Sequence, residues 1–219
     1  FMFSLIIQFF TAIFCLSRLR KQASHLTEPI KIKESGQNYL KTLAVLRKRE
    51  IYPFVFISFL VLVLAGFNNA FFVLFLKNLG LSFNQILVFN SALSLVFVPL
   101  SIWVIKRISK LKSERNVSLG SQIVGIFSIL LGALSGALNF FSVFFIMIGK
   151  YVGGLMAGSG RSGLLTTKLK EYPEESAAVD TIFSPLATAI GALVGGLIIL
   201  PLGYPLIFII FGVLIFGAG

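Results

Sequence analysis

Seven stretches of this sequence are apolar enough, and most are long enough, to cross a lipid bilayer as helices. They run over residues 1–16, 52–76, 85–105, 117–138, 140–165, 177–200 and 204–219. The hydrocarbon core of a bilayer takes about 20 apolar residues in helical form. In lipid only helices and closed barrels satisfy their own backbone, and runs of this length suit helices. Charged residues make up 12% of the chain and hydrophobic ones 57%, with mean hydropathy +0.95. A globule of 219 residues has too much surface to hide that much apolar material. A soluble enzyme, a disordered chain and a disulfide scaffold are therefore excluded as readings. The expected fold is all-α, a polytopic membrane helix bundle with six helices over 51–219 and one shorter helix over 1–16 before them.

Charge then orders the spans. Of the 19 Lys and Arg residues, nine fall in 17–50, five in 106–116 and three in 161–176. Only Lys77 lies in an opposite loop, and Lys150 lies within a span. Basic residues collect on the cytoplasmic side. Alternate loops are thus expected in the cytoplasm, the first helix starting outside and the C-terminus ending inside. The net charge of +11 is a topology signal, so no nucleic-acid partner is expected. Residues 1–16 are not a signal peptide, because Arg18, Arg20 and Lys21 follow the apolar run instead of preceding it. Both ends fall in apolar stretches, and the expectation is a piece of a longer protein. Within 17–50, Tyr39, Leu40, Leu43 and Leu46 among Lys41, Arg47 and Lys48 have the spacing of an amphipathic surface helix, with a solvated linker as the alternative.

Glycines suggest how the helices pack. Gly132 and Gly136, Gly149 and Gly153, and Gly154 and Gly158 are each four apart, and Gly191, Gly195 and Gly196 form a cluster. Small residues at such spacing let helices approach closely in lipid. Pro99 and Pro185 lie within spans, where they loosen a helix.

Several motifs have the wrong surroundings. Gly158-Ser159-Gly160-Arg161-Ser162-Gly163 fits a dinucleotide fingerprint, but it ends a long apolar span instead of linking a strand to a helix. Asn116-Val117-Ser118 matches a glycosylation acceptor on the side expected to be cytoplasmic. His25 and Cys15 are the only residues of their kinds, so no metal site, cofactor or disulfide is expected. The acids Glu171, Glu174, Glu175 and Asp180 lack metal-ligand spacing. The chain is not read as an enzyme.

The chemistry rests on a few polar residues in apolar spans. Lys150 is about nine residues into its span, or roughly 13 Å at 1.5 Å per residue. A charge at that depth costs at least about 2.5–3.5 kcal/mol on insertion scales, which marks a functional residue, with a snorkelling lysine as the alternative. Arg161 follows eleven residues later, so it shares a helical face with Lys150, along with Gly154 and Gly158. Lys150 and Gly154 are substrate-path candidates. Arg161 is either a gate residue paired with Asp180 or an interfacial anchor. Asn68, Asn69 and Asn90 are the remaining path candidates, with bonding between helices as their alternative, and Gln122 lies near the inner end of its span. The 24 phenylalanines read mostly as lipid-facing filler.

This layout resembles the C-terminal half of the major facilitator superfamily: a last helix of the first half, a long basic central loop and six spans. Phe75-Leu76-Lys77-Asn78-Leu79-Gly80-Leu81-Ser82 is similar to that family's outer loop after the first helix of a half. Pro99 followed by Lys106, Arg107 and Lys110 resembles its basic loop between the second and third helices, with Ser101 and Ile105 near the usual glycine and aspartate. Gly191-Ala192-Leu193-Val194-Gly195-Gly196 resembles the glycine motif of the fifth helix, with Ala192 where proline is common. Lys150 with Gly154 resembles the basic-plus-glycine motif of the fourth. The resemblance implies secondary active transport of a small solute by alternating access, with an N-terminal half of the same protein as partner and a coupling ion where a carboxylate supplies one. The rival reading is a membrane scaffold or assembly subunit, with its polar residues tied up between helices.

Overall fold

The computed structural model describes residues 51–170 and 173–219, with backbone alone for 173–180 and 182. The first expected helix, the basic loop with its surface helix, His25 and Cys15 lie outside the described residues. The chain divides into compact units at 1–39 and 40–219, and the described residues belong to the second.

Five helical stretches make up this unit: α1 (Tyr52–Asn78), α2 (Phe83–Ile108), α3 (Ser113–Ala133), α4 (Phe140–Lys168) and α5 (Pro173–Ala218). Each is long and apolar enough to cross a membrane. The described residues form an all-helical, multi-pass membrane bundle.

The last stretch holds two spans. Its 46 residues measure about 69 Å at 1.5 Å per residue, more than twice the ~30 Å hydrocarbon core. Gly203 breaks it with φ 69° and ψ 166°, between Pro201 and Pro205. That backbone region is essentially glycine-only. Contacts on either side of Gly203 show the chain reversing. In the first arm, Phe183 meets Phe59 at 5.0 Å and Gly196 lies beside Phe71, so arm and α1 run parallel. In the second arm, Tyr204 meets Phe75 at 5.7 Å and Phe211 meets Phe67 at 6.5 Å, so this arm runs antiparallel to α1. The spans expected over 177–200 and 204–219 are these two arms.

The other directions alternate in the same way. Gly120 packs on Gly153 and Ala157, and Gly160 on Ser113 and Val117, so α3 and α4 are antiparallel. Phe89 meets Phe140, and Phe97 meets Tyr151, so α2 and α4 are parallel. The described residues thus make six helical passes that alternate in direction.

The turns that α1–α2 and α3–α4 make are on the same side and both end in capping boxes. Ser82 Oγ accepts from Gln85 N, and Gln85 Oε1 accepts from Ser82 N. Asn139 Oδ1 accepts from Ser142 N, and Ser142 Oγ accepts from Asn139 N. These pairs satisfy helix-start donors that lipid would leave bare. Ahead of the first, Leu81 N donates to Leu76 O and Gly80 N to Lys77 O, the Schellman closure of α1. Gly80 has φ 84°. A left-handed residue with a side chain costs roughly 1–2 kcal/mol. Gly80→Val is therefore expected to lower the melting temperature of detergent-solubilised protein by several degrees, and Gly136→Val, in open space, to leave it unchanged.

Two expectations need correction. Gly136 is not a packing residue: α3 ends at Ala133, and a side chain at 136 would meet nothing within 4 Å. The phenylalanines are not mainly lipid filler. Phe67, Phe75, Phe89 and Phe208 are fully buried, and Phe72 and Phe211 nearly so. They interlock edge to face, as with Phe75 on Phe208 at 5.1 Å and Phe67 on Phe208 at 5.4 Å. The remaining packing glycines are where helices touch. A Cβ on Gly132 would strike the Pro205 carbonyl, one on Gly191 the Val63 carbonyl and one on Gly195 the Phe67 ring, while Gly196 only touches Phe71.

Candidate functional site

Lys150 lies inside the bundle. It is 6% exposed, on the α4 stripe that also buries Val143, Ile146, Ala157, Arg161 and Leu164. Its Nζ donates to Asn68 Oδ1 of α1 at 3.4 Å and sits 4.9 Å from the centre of the Phe208 ring. The lysine thus links α4 to α1 and to the second arm of α5. An ammonium over a ring face is attracted to the ring's quadrupole. Lys150 does not snorkel, because α4 continues past it in both directions and its stem turns inward.

Arg161 shares that stripe, as its eleven-residue offset requires, and is 9% exposed. It is buried among the helices. Nearby on α4, Leu164, Leu165 and Leu169 pack with Ile51, Phe54 and Val55 at the start of α1. Asp180 falls on the backbone of α5, and its side chain is outside the described residues, as is the proposed Arg161 pairing.

Gly154 parts company with Lys150. Four residues turn a helix 400°, so each step of four drifts 40° round the axis. Gly154 and Gly158 lie 40° and 80° from Lys150, and a Cβ on either meets nothing within 4 Å. Tyr151, 100° round, stacks on Phe97 of α2 at 3.7 Å. The two bare glycines therefore fall between the directions of α1 and α2. On the opposite side of the stripe Gly149, Gly153 and Gly160 meet α3.

The amide pair on α1 splits in the same sense. Asn68 points at Lys150, while Asn69, 100° further round, is exposed. Because α1 and α4 run in opposite directions, these rotations carry Asn69, Gly154 and Gly158 to one side, the side where α2 stands. On α2, Phe89 and Phe97 make the contacts to α4. Asn90 and Ser94 border that stripe and are exposed, and Ser94 Oγ donates back to Asn90 O at 2.9 Å. Asn69, Asn90, Ser94, Gly154 and Gly158 thus fall on one side of the bundle, flanked by α1, α2 and α4, which we call the front. The back, formed by α3 and the second arm of α5, is closed by glycine contacts: Gly125 on Gly212, and Gly132 on Pro205.

Ser94 and Gly158 were not among the expected path residues, although Asn90 and Ser94 are four apart and legible as a polar pair. Asn116 was set aside as a glycosylation decoy. It is buried, and its Nδ2 donates to Ile108 O at 3.0 Å, tying α3 to the end of α2. Gln122 is half-buried. Among the described residues no group of His, Cys, Asp and Glu is placed to hold a metal.

Neither a protein-family model, nor a curated protein, nor a solved structure matches the chain.

Proposed function

We propose that this six-span unit is one half of a solute carrier of the major facilitator type, rocking against an N-terminal half of the same protein with its C-terminus in the cytoplasm. The observation that carries the reading is the front: exposed amides at Asn69 and Asn90 in otherwise apolar spans. Polar side chains in a membrane face protein or water instead of lipid. Two exposed amides beside two glycines whose Cβ positions meet nothing within 4 Å supply hydrogen-bonding groups and uncovered helix surface for a small polar solute. Alternating access adds that the closed back moves as a rigid wall while the front opens to each side in turn.

The Lys150–Asn68 contact favours the second reading, a membrane scaffold, because it ties two polar groups together between helices. The scaffold reading has no use for the exposed amides of the front.

The whole protein in proteoliposomes loaded with a cell metabolite extract separates the two. Wild type is expected to release a defined set of small solutes, read by mass spectrometry. Gly154→Leu starts from a Cβ position with nothing within 4 Å and projects into the front, and it is expected to cut that release about ten-fold or more, a barrier of about 1.4 kcal/mol. No solute released by wild type, or full release by Gly154→Leu, would reject the carrier.

A further inference from the structure

The turn between α2 and α3 carries five cations in ten residues: Lys106, Arg107, Lys110, Lys112 and Arg115. All five are exposed, and among the described residues none has a carboxylate partner, since Glu114 approaches Lys168. The turn is short and braced. Leu111 N donates to Ile108 O at 2.9 Å, Lys110 N to Arg107 O at 3.3 Å, and the buried Asn116 amide to Ile108 O. Unneutralised like charges are thereby held together at one depth.

Directly above them α2 presents a bare apolar strip turned away from α4. Val88, Leu95, Val98 and Ile102 on it are all more than half exposed. The strip ends at Trp103, which is 59% exposed, with the Arg107 guanidinium 5.8 Å over its ring. Tryptophan at that position sits at headgroup depth. The order along the helix is therefore acyl-length apolar strip, interfacial ring, then cations.

We infer that this end of α2 and the α2–α3 turn bind an anionic phospholipid, its phosphate held by Lys106, Lys110 and Lys112 and one acyl chain lying along Leu95 and Ile102. Charge complementarity selects the occupant: a zwitterionic headgroup brings its own cation to an already cationic cluster, and an anionic one does not. Juxtamembrane basic clusters gain affinity for anionic leaflets with each cation in reach. The site lies on the lipid side of α2, away from the front, so it stands or falls independently of transport.

Trp103 is the single tryptophan of this sequence and reports the site directly. The whole protein in nanodiscs, with both leaflets accessible, is titrated with brominated lipid, and Trp103→Phe supplies the background of any other tryptophan. Brominated phosphatidylglycerol is expected to quench Trp103 roughly five-fold more effectively, mole for mole, than brominated phosphatidylcholine. High salt is expected to weaken that preference. The triple variant Lys106→Gln, Lys110→Gln and Lys112→Gln is expected to remove it, with Arg107 kept so that the ring's own surroundings do not change. All three side chains are exposed, so the fold survives, and unchanged quenching by phosphatidylcholine verifies that. Equal quenching by both lipids, or a preference that persists in the triple variant, would overturn the assignment. Displacement of the lipid by inorganic phosphate alone would overturn it too, in favour of a free-anion site.

Discussion

Gly191→Leu is expected to eliminate folded protein, while Gly154→Leu leaves yield and melting unchanged. The substitution is the same in both and only the surroundings differ. A Cβ on Gly191 runs into the Val63 carbonyl, and Gly66 faces the Thr188 backbone from the other side. The neighbour in both cases is main chain, which cannot turn aside as a side-chain tip can. Overpacking a core commonly costs ~1–3 kcal/mol. Here the cost is at least that, since two parallel helices must separate along their contact. A bundle in lipid has little else to hold it, because the hydrophobic effect does not drive helices together there. Gly154 meets nothing within 4 Å. Monodisperse yield and melting temperature in mild detergent read both variants. Gly191→Leu melting like wild type would show that α1 and α5 do not meet as described.

Lys150→Ala is expected to be the second most damaging change, and Lys150→Met much milder. Alanine leaves a cavity between α4, α1 and the second arm of α5, and large-to-alanine changes in cores cost about 2–5 kcal/mol. It also takes away the donor that meets Asn68 Oδ1. Methionine fills the space and loses only the polar contact. Adding Asn68→Leu to Lys150→Met is expected to restore part of the loss, because neither polar group is then buried alone. The coupling energy from the double-mutant cycle is expected near 0.6–1.7 kcal/mol, the range for polar contacts between membrane helices. If Lys150→Met keeps full stability but stops solute flux, Lys150 belongs to the path as its sequence position suggested, and its link to Asn68 is a functional one.

Much of this architecture was legible before the structure. Bilayer thickness fixes how long an apolar run must be, so the described spans lie near their expected places. Charge then gave them an alternating order, and the pairings Phe75–Tyr204 and Phe59–Phe183 agree with that alternation. What the pattern did not carry is which side of each helix is buried. In a soluble protein polar residues mark the outer face, but lipid and core are equally apolar, so Phe67 and Phe141 read alike in sequence although one is buried and the other 70% exposed. The same blindness hid the split between Asn68 and Asn69, and between Lys150 and Gly154. Helical spacing placed Lys150 and Arg161 on one face correctly, but could not say that the face points inward. Gly136 failed for a local reason: Asn139 and Ser142 cap α4, and α3 must end earlier to make room for the turn.

A wet front and a lipid-facing strip on α2 are the two surfaces on which everything else rests, and cysteine labelling along that one helix tests both. With Cys15→Ser as background, single cysteines replace Asn90, Ser94 and Ser101, the last two turns beyond Ser94 on the same side of α2, and Val88, Leu95 and Ile102 on the strip. The whole protein in native membranes is then treated with a water-soluble maleimide. Reaction at 90, 94 and 101 with none at 88, 95 and 102 is the expected result. Uniform silence would mean that lipid or protein covers the front, and reaction on the strip instead would place water on the wrong side of the helix.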